Sequence, residues 1–211
     1  MSKHTTQPQG FTIVETLVAI TILLIAIAAP ITIVVRTAQS SAFAGEQVVA
    51  TFLAQEGLEL AQKERDDHYL DYFEELLVSP PADDEPWAWF IDFGGNFGTT
   101  CRVNNSGERG CGMYPENVGT DGEATSVATK CTDRGCPIYF DDSAGVRARY
   151  THVATGNTLT PYTREVKVIG SSDPTNPEMR VQSIVRWRTG TLGATQEVIA
   201  ESSLFNIYDT P

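Results

Sequence analysis

Residues 11–35, FTIVETLVAITILLIAIAAPITIVV, hold one ionisable side chain, Glu15, in twenty-five positions. As a helix this run spans about 37 Å, enough to cross roughly 30 Å of hydrocarbon. In lipid only a helix satisfies its own backbone amides, so a helix is expected here despite the frequent Val and Ile. Pro30 withholds one N–H from the ladder and is expected to kink the helix locally. A carboxylate within such a segment costs about 2.5–3.5 kcal/mol on insertion scales. Glu15 therefore calls either for a partner or for a place near enough the membrane edge to reach headgroups.

Composition removes several classes. The 211 residues carry 15 Lys plus Arg against 27 Asp plus Glu, a net charge of −12. A nucleic-acid binder needs clustered positive charge, and docking on an anionic membrane face needs a basic patch. Three His and four Cys show no metal-ligand spacing, and no nucleophile elbow, phosphate loop or Ser-His-Asp order occurs. The expectation is a non-enzymatic chain with no cofactor, no metal and no nucleic-acid partner.

What precedes Glu15 narrows the field. The start MSKHTTQPQG is polar, carries Lys3 and ends in Gly10 directly before Phe11. Gly10-Phe11-Thr12-Ile13-Val14-Glu15, followed by the apolar run, resembles the amino terminus of the type IV prepilin family, including the pseudopilins of type II secretion. The resemblance covers about residues 3–65. It implies that an inner-membrane prepilin peptidase cuts between Gly10 and Phe11 on the cytoplasmic side and methylates the new amino group on Phe11. It also implies that Glu15 meets the positive amino terminus of an adjacent subunit during assembly. Two opposite charges, each costly in lipid, are best buried together, and the pairing would set axial register between helices.

A competing signal lies downstream. Ala42-Phe43-Ala44 before Gly45 has the small residues of a signal-peptidase site, but a secretory apolar core runs about 7–15 residues and this one is longer and contains a carboxylate. Charge barely orients the span, with Lys3 before it and Arg36 after it. The resemblance places residues 36–211 outside the cytoplasmic membrane.

Beyond the small, polar stretch 37–45 the helical period returns. Val49, Leu53, Gly57, Leu60 and Ala61 share one face, broadened by Val48 and Phe52, with Gln55, Glu59, Gln62 and Lys63 opposite. A helix continuous from Phe11 to Arg65 would measure roughly 82 Å. Residues 66–92 contain nine carboxylates and no Lys or Arg, and Pro80, Pro81 and Pro86 exclude a long helix across 80–86. Asp83, Asp84 and Glu85 read as a solvated acidic loop rather than a cation site.

Residues 94–136 hold nine Gly and all four cysteines, Cys101, Cys111, Cys131 and Cys136, and read as a loop region held by two disulfides. Three connectivities exist. Both Cys111 and Cys136 end an acidic-Arg-Gly-Cys run, which favours the short loops Cys101–Cys111 and Cys131–Cys136. Residues 162–169, 180–188 and 196–208 alternate and are rich in Val and Ile, as a β meander would be. Trp187 shares a face with Val181 and Val185 and reads as a core residue. Residues 145–188 carry seven Lys or Arg against three acids, opposite in sign to residues 66–92. Those two regions are expected either to neighbour each other or to dock between stacked subunits, the latter weakening with salt.

The expected architecture is α+β and pilin-like, a long N-terminal helix packed on a C-terminal antiparallel sheet with a Gly/Cys-rich loop region. The expected parts are a cleaved leader (1–10), a transmembrane and filament-core helix (11–35), an amphipathic continuation (36–65) and an extracytoplasmic domain (66–211). The expected function is that of a structural subunit, a minor pilin or pseudopilin of a type IV pilus or type II secretion-like filament. Its partners would be the peptidase, the inner membrane and other pilin subunits through the N-terminal helix. The alternative is a single-pass, membrane-anchored extracytoplasmic binding protein that never polymerises.

Overall fold

A computed structural model describes residues 10–78, 100–103, 108–118, 124–132, 135–143, 148–169, 178–189 and 193–206. The acidic triad at 83–85 and Tyr208 lie outside them. Helix α1 spans Ile13–Val78 and includes Pro30, and the chain divides into two compact units, residues 1–45 and 46–211. The helix ends at Val78, well past the expected Arg65. Residues 66–78 contain neither Gly nor Pro, so nothing in them halts a helix, and Pro80 follows as the stop signal. Ala42–Gly45, weighed above as a signal-peptidase site, are helical.

In the second unit seven strands follow: β1 (Cys111–Val118), β2 (Ala124–Lys130), β3 (Pro137–Asp141), β4 (Arg149–Thr151), β5 (Thr158–Ile169), β6 (Glu178–Arg188) and β7 (Thr195–Phe205). They form one sheet whose named strand pairs are all antiparallel. β5 is its hub. One edge of β5 pairs with β6 from Thr163 to Ile169, and β6 pairs in turn with β7 along its whole length. The opposite edge meets β3 at Thr158, Leu159 and Thr163 and β1 at Val166. The expected three-strand meander is thus one wing of a larger sheet. The stretch expected to be loop holds the β1–β2 hairpin, with Cys111 opposite Lys130.

The core lies between this sheet and residues 50–69 of α1. Leu60, Ala61 and Tyr69 meet Val166 and Val168 of β5, Met179 and Val181 of β6 and Leu204 of β7. Each such aliphatic side chain, fully buried, contributes about 1.5–3 kcal/mol. Val48 and Phe52 do not broaden this face, as expected above; both are exposed, Phe52 at 67%. The buried face is built from Ala50, Leu53, Ala54, Gly57, Leu60 and Ala61. Small side chains let the helix backbone approach the sheet, which a phenyl ring on that face would prevent.

Two disulfides tie the hairpin region down, Cys101–Cys111 with Cα atoms 4.7 Å apart and Cys131–Cys136 at 5.0 Å. The first belongs to the core itself. The second closes a tight loop in which Gly135 adopts φ 87°, a region open to glycine at little cost.

Candidate assembly site

In the first unit the chain enters α1 through a cap. Thr12 precedes the first helical residue, Ile13, and its Oγ1 accepts a hydrogen bond from the Glu15 N–H at 3.3 Å. The Thr12 carbonyl accepts the first helical bond from Thr16 N at 3.2 Å. Thr12 is thus the N-cap and Glu15 the third helical residue, the threonine–x–x–glutamate spacing of a capping box. A carboxylate in the first turn also faces the positive end of the helix dipole. Glu15 therefore has a compensating field within its own chain, a function of its spacing from Thr12 that the sequence reading did not use.

Gly10 and Phe11 lie outside the helix, with Phe11 80% exposed and open space where a Cβ on Gly10 would sit. The peptide bond between them is accessible and non-helical, as a peptidase requires. Downstream, the helix is long and apolar enough to cross a membrane, and none of its most apolar window is buried. The hydroxyls of Thr16, Thr21 and Thr37 donate to the carbonyls of Ile13, Val18 and Ile33 at 2.8–2.9 Å. The helix continues through Pro30, which leaves the Ala26 carbonyl without its usual i+4 donor.

In the second unit Arg164, Tyr162, Trp187 and Thr189 fasten α1 to the sheet through polar contacts. The guanidinium of Arg164, fully buried on β5, donates to the Leu53 carbonyl at 3.1 Å and to Glu56 Oε2 at 2.5 Å through Nη1. Its Nη2 donates to the Met113 carbonyl of β1 at 2.5 Å. The Glu46 carboxylate accepts from Trp187 Nε1 at 3.2 Å and from Thr189 Oγ1 at 2.6 Å, while the Tyr162 hydroxyl donates to the Glu46 carbonyl at 3.2 Å. Burial, with the Glu46 charge second, pushes the Tyr162 phenol above its ordinary value. Beneath Arg164, a Cβ on Gly57 would overlap the Ser183 hydroxyl and lie 3.2 Å from Arg164 Cδ. Gly57 falls on the helix face expected to be buried, whereas Glu46 and Arg164 went unnoticed in the sequence; the one signal was an arginine at an apolar phase of the alternating run YTREVKVI.

Five described cations of residues 145–188 find acids other than those of residues 66–92, and Arg188 donates to the Thr195 hydroxyl. Arg149 meets Asp141, Arg164 meets Glu56, Arg186 meets Glu165 and Glu197, Lys167 meets Glu165 and Arg180 meets Glu201. Tyr69 of the acidic stretch nonetheless packs against Val166, Val168, Met179 and Val181 of the basic one, and the acids at 83–85 and 92 lie outside the described residues.

Residues 7–29 match the family model of the prokaryotic N-terminal methylation motif. That motif is typical of type IV prepilins and pseudopilins, a structural rather than enzymatic class, and the fold that carries it is α+β and pilin-like. The matched span takes in Gly10, Phe11, the Thr12–Glu15 cap and the first turns of the exposed apolar helix. No curated protein and no solved structure matches the chain.

Proposed function

We propose that this chain is a filament subunit, a minor pilin or pseudopilin, that enters the inner membrane as a precursor. A prepilin peptidase removes residues 1–10 and methylates the amino group of Phe11. The helix then leaves the bilayer to pack against the helices of other subunits, and Glu15 meets the cationic chain end of a neighbour. The carrying observation is the coincidence of the methylation-motif match with an exposed, non-helical Gly10–Phe11 bond opening into a bare apolar helix. In lipid or in a bundle that apolar surface stays out of water, so the transfer keeps the hydrophobic contribution. The domain beyond the membrane supplies surface and contacts, and its two disulfides suit an oxidising compartment.

Co-expression with a prepilin peptidase tests this reading. The expected product begins at methylated Phe11, read by mass spectrometry, and is found by immunogold labelling on sheared filaments. Native material that keeps Met1 and stays in the membrane would identify a non-polymerising anchored protein instead. Within the filament reading, Glu15→Ala is expected to abolish or strongly reduce incorporation; unchanged incorporation removes the register role.

A further inference from the structure

Two charges stand without partners in matching surroundings. Arg36 is the sole Lys or Arg between residues 11 and 62, and among the described residues it is the one such cation with no hydrogen bond or ion pair. Glu59, exposed on α1, likewise has no partner among the described residues. It rims an open groove of about 380 Å³ walled by Val49, Phe52, Leu53, Glu56 and Tyr150. Phe52 and Val48 lie on the helix side opposite the core, and the strands of the second unit leave them exposed. Arg164 already occupies Glu56, which leaves Glu59 as the available anion.

The spacing on the two segments agrees. Val48, Gln55 and Glu59 recur at intervals of seven and four along one helix face, with Phe52 between them. Ile25, Thr32 and Arg36 recur at the same intervals, and Ile25 is 72% exposed. Set parallel with a shift of 23 residues, about 35 Å at 1.5 Å per residue, Ile25 faces Val48, Thr32 faces Gln55 and Arg36 faces Glu59. The antiparallel arrangement would place Arg36 against the apolar end of the groove.

We infer that the groove beside Phe52 and Tyr150 receives residues 25–36 of a second copy of this chain, in parallel, with Arg36 paired to Glu59. The inference rests on the filament reading above and names one contact within it. Apolar matching holds the helices together and the single ion pair selects the shift, since sliding by one turn sets Arg36 opposite Gln55 or Lys63 in place of Glu59.

The test uses two differently tagged full-length copies expressed together in cells carrying the peptidase and filament machinery. The matched pairs Ile25→Cys with Val48→Cys, and Arg36→Cys with Glu59→Cys, are expected to cross-link between copies on oxidation. Their yield should be at least tenfold that of the mismatched pair Arg36→Cys with Val48→Cys. Arg36→Glu should cut the 25–48 cross-link at least fivefold, and adding Glu59→Arg should restore it to within twofold. Equal yields for matched and mismatched pairs, or no restoration in the double reversal, overturns the contact while leaving the filament reading intact. Absence of every cross-link together with an uncut leader overturns both. A peptide map retaining Cys101–Cys111 and Cys131–Cys136 shows that each variant folds.

Discussion

Arg164 Nη1 donates to the main-chain carbonyl of Leu53 at 3.1 Å, so a guanidinium with no exposed surface joins β5 to the helix that crosses it. Only a planar fork reaches the Leu53 and Met113 carbonyls and the Glu56 carboxylate together. Arg164→Met should cost about 3–5 kcal/mol, and Arg164→Lys nearly as much, because one partner of a buried polar set is removed. Glu56→Gln, at a partly exposed site, should cost roughly 1–2 kcal/mol. Urea unfolding of the detergent-solubilised chain, followed by tryptophan fluorescence, measures all three.

Gly57 packs directly against Ser183 of β6. Alanine there gains about 1 kcal/mol in helix propensity. Its methyl group would nonetheless overlap the Ser183 hydroxyl, and the net outcome expected is a loss of about 1–3 kcal/mol. Ser183→Ala in the same background should recover part of that loss. Alone, Ser183→Ala should raise stability by about 1 kcal/mol, because the Ser183 Oγ is buried with no hydrogen-bond partner.

Acid should loosen the domain through His152. Burial, then the nearby Arg164 charge, lowers its pKa from 6.5 to about 4, against a raising contribution from the Pro137 carbonyl 2.8 Å from Nδ1. The folded state thus holds fewer protons than the unfolded one between these values. Stability is full above pH 6.5 and falls as pH drops towards 4, by up to roughly 3 kcal/mol. The Ser143 hydroxyl and N–H, with Arg149, hold the Asp141 carboxyl below its usual range and add a loss in the same direction at lower pH. His152→Gln should flatten the slope between pH 6.5 and 4 in denaturant titrations while leaving the Asp141 contribution in place.

Thr12→Val removes the capping hydroxyl at nearly constant volume. The helix start should weaken by about 1 kcal/mol, which hydrogen exchange reads as a roughly fivefold faster Glu15 amide. Thr12→Ser should behave like the natural residue. Equal exchange in all three would show that the cap contributes nothing.

Legibility in the sequence followed the range of the interactions. The Gly10–Glu15 motif and the apolar run are contiguous, so their chemistry is visible without a fold. β5, β6 and β7 announce themselves because one buried and one wet face impose alternation on YTREVKVI and RVQSIVRWR. β1 and β2 do not: CGMYPENV and ATSVATK contain Pro, Asn, Gly and small polar residues, and backbone pairing and a disulfide hold them in place of an apolar alternation. The face of α1 was misjudged at Phe52 because size suggests burial, whereas Ala50, Ala54 and Gly57 set how near the sheet can come. Glu46 carries no local sign of its role, since its partners Trp187 and Thr189 lie over 140 residues away.

The threonines of the apolar helix have a consequence for changing surroundings. Thr16, Thr21 and Thr37 spend their donors on carbonyls of their own turn. Those hydroxyls ask no acceptor of whatever encloses them, whether acyl chains or the flanks of sister helices. They can pass from one medium to the other with these bonds kept, leaving the segment's few charges to decide where it comes to rest.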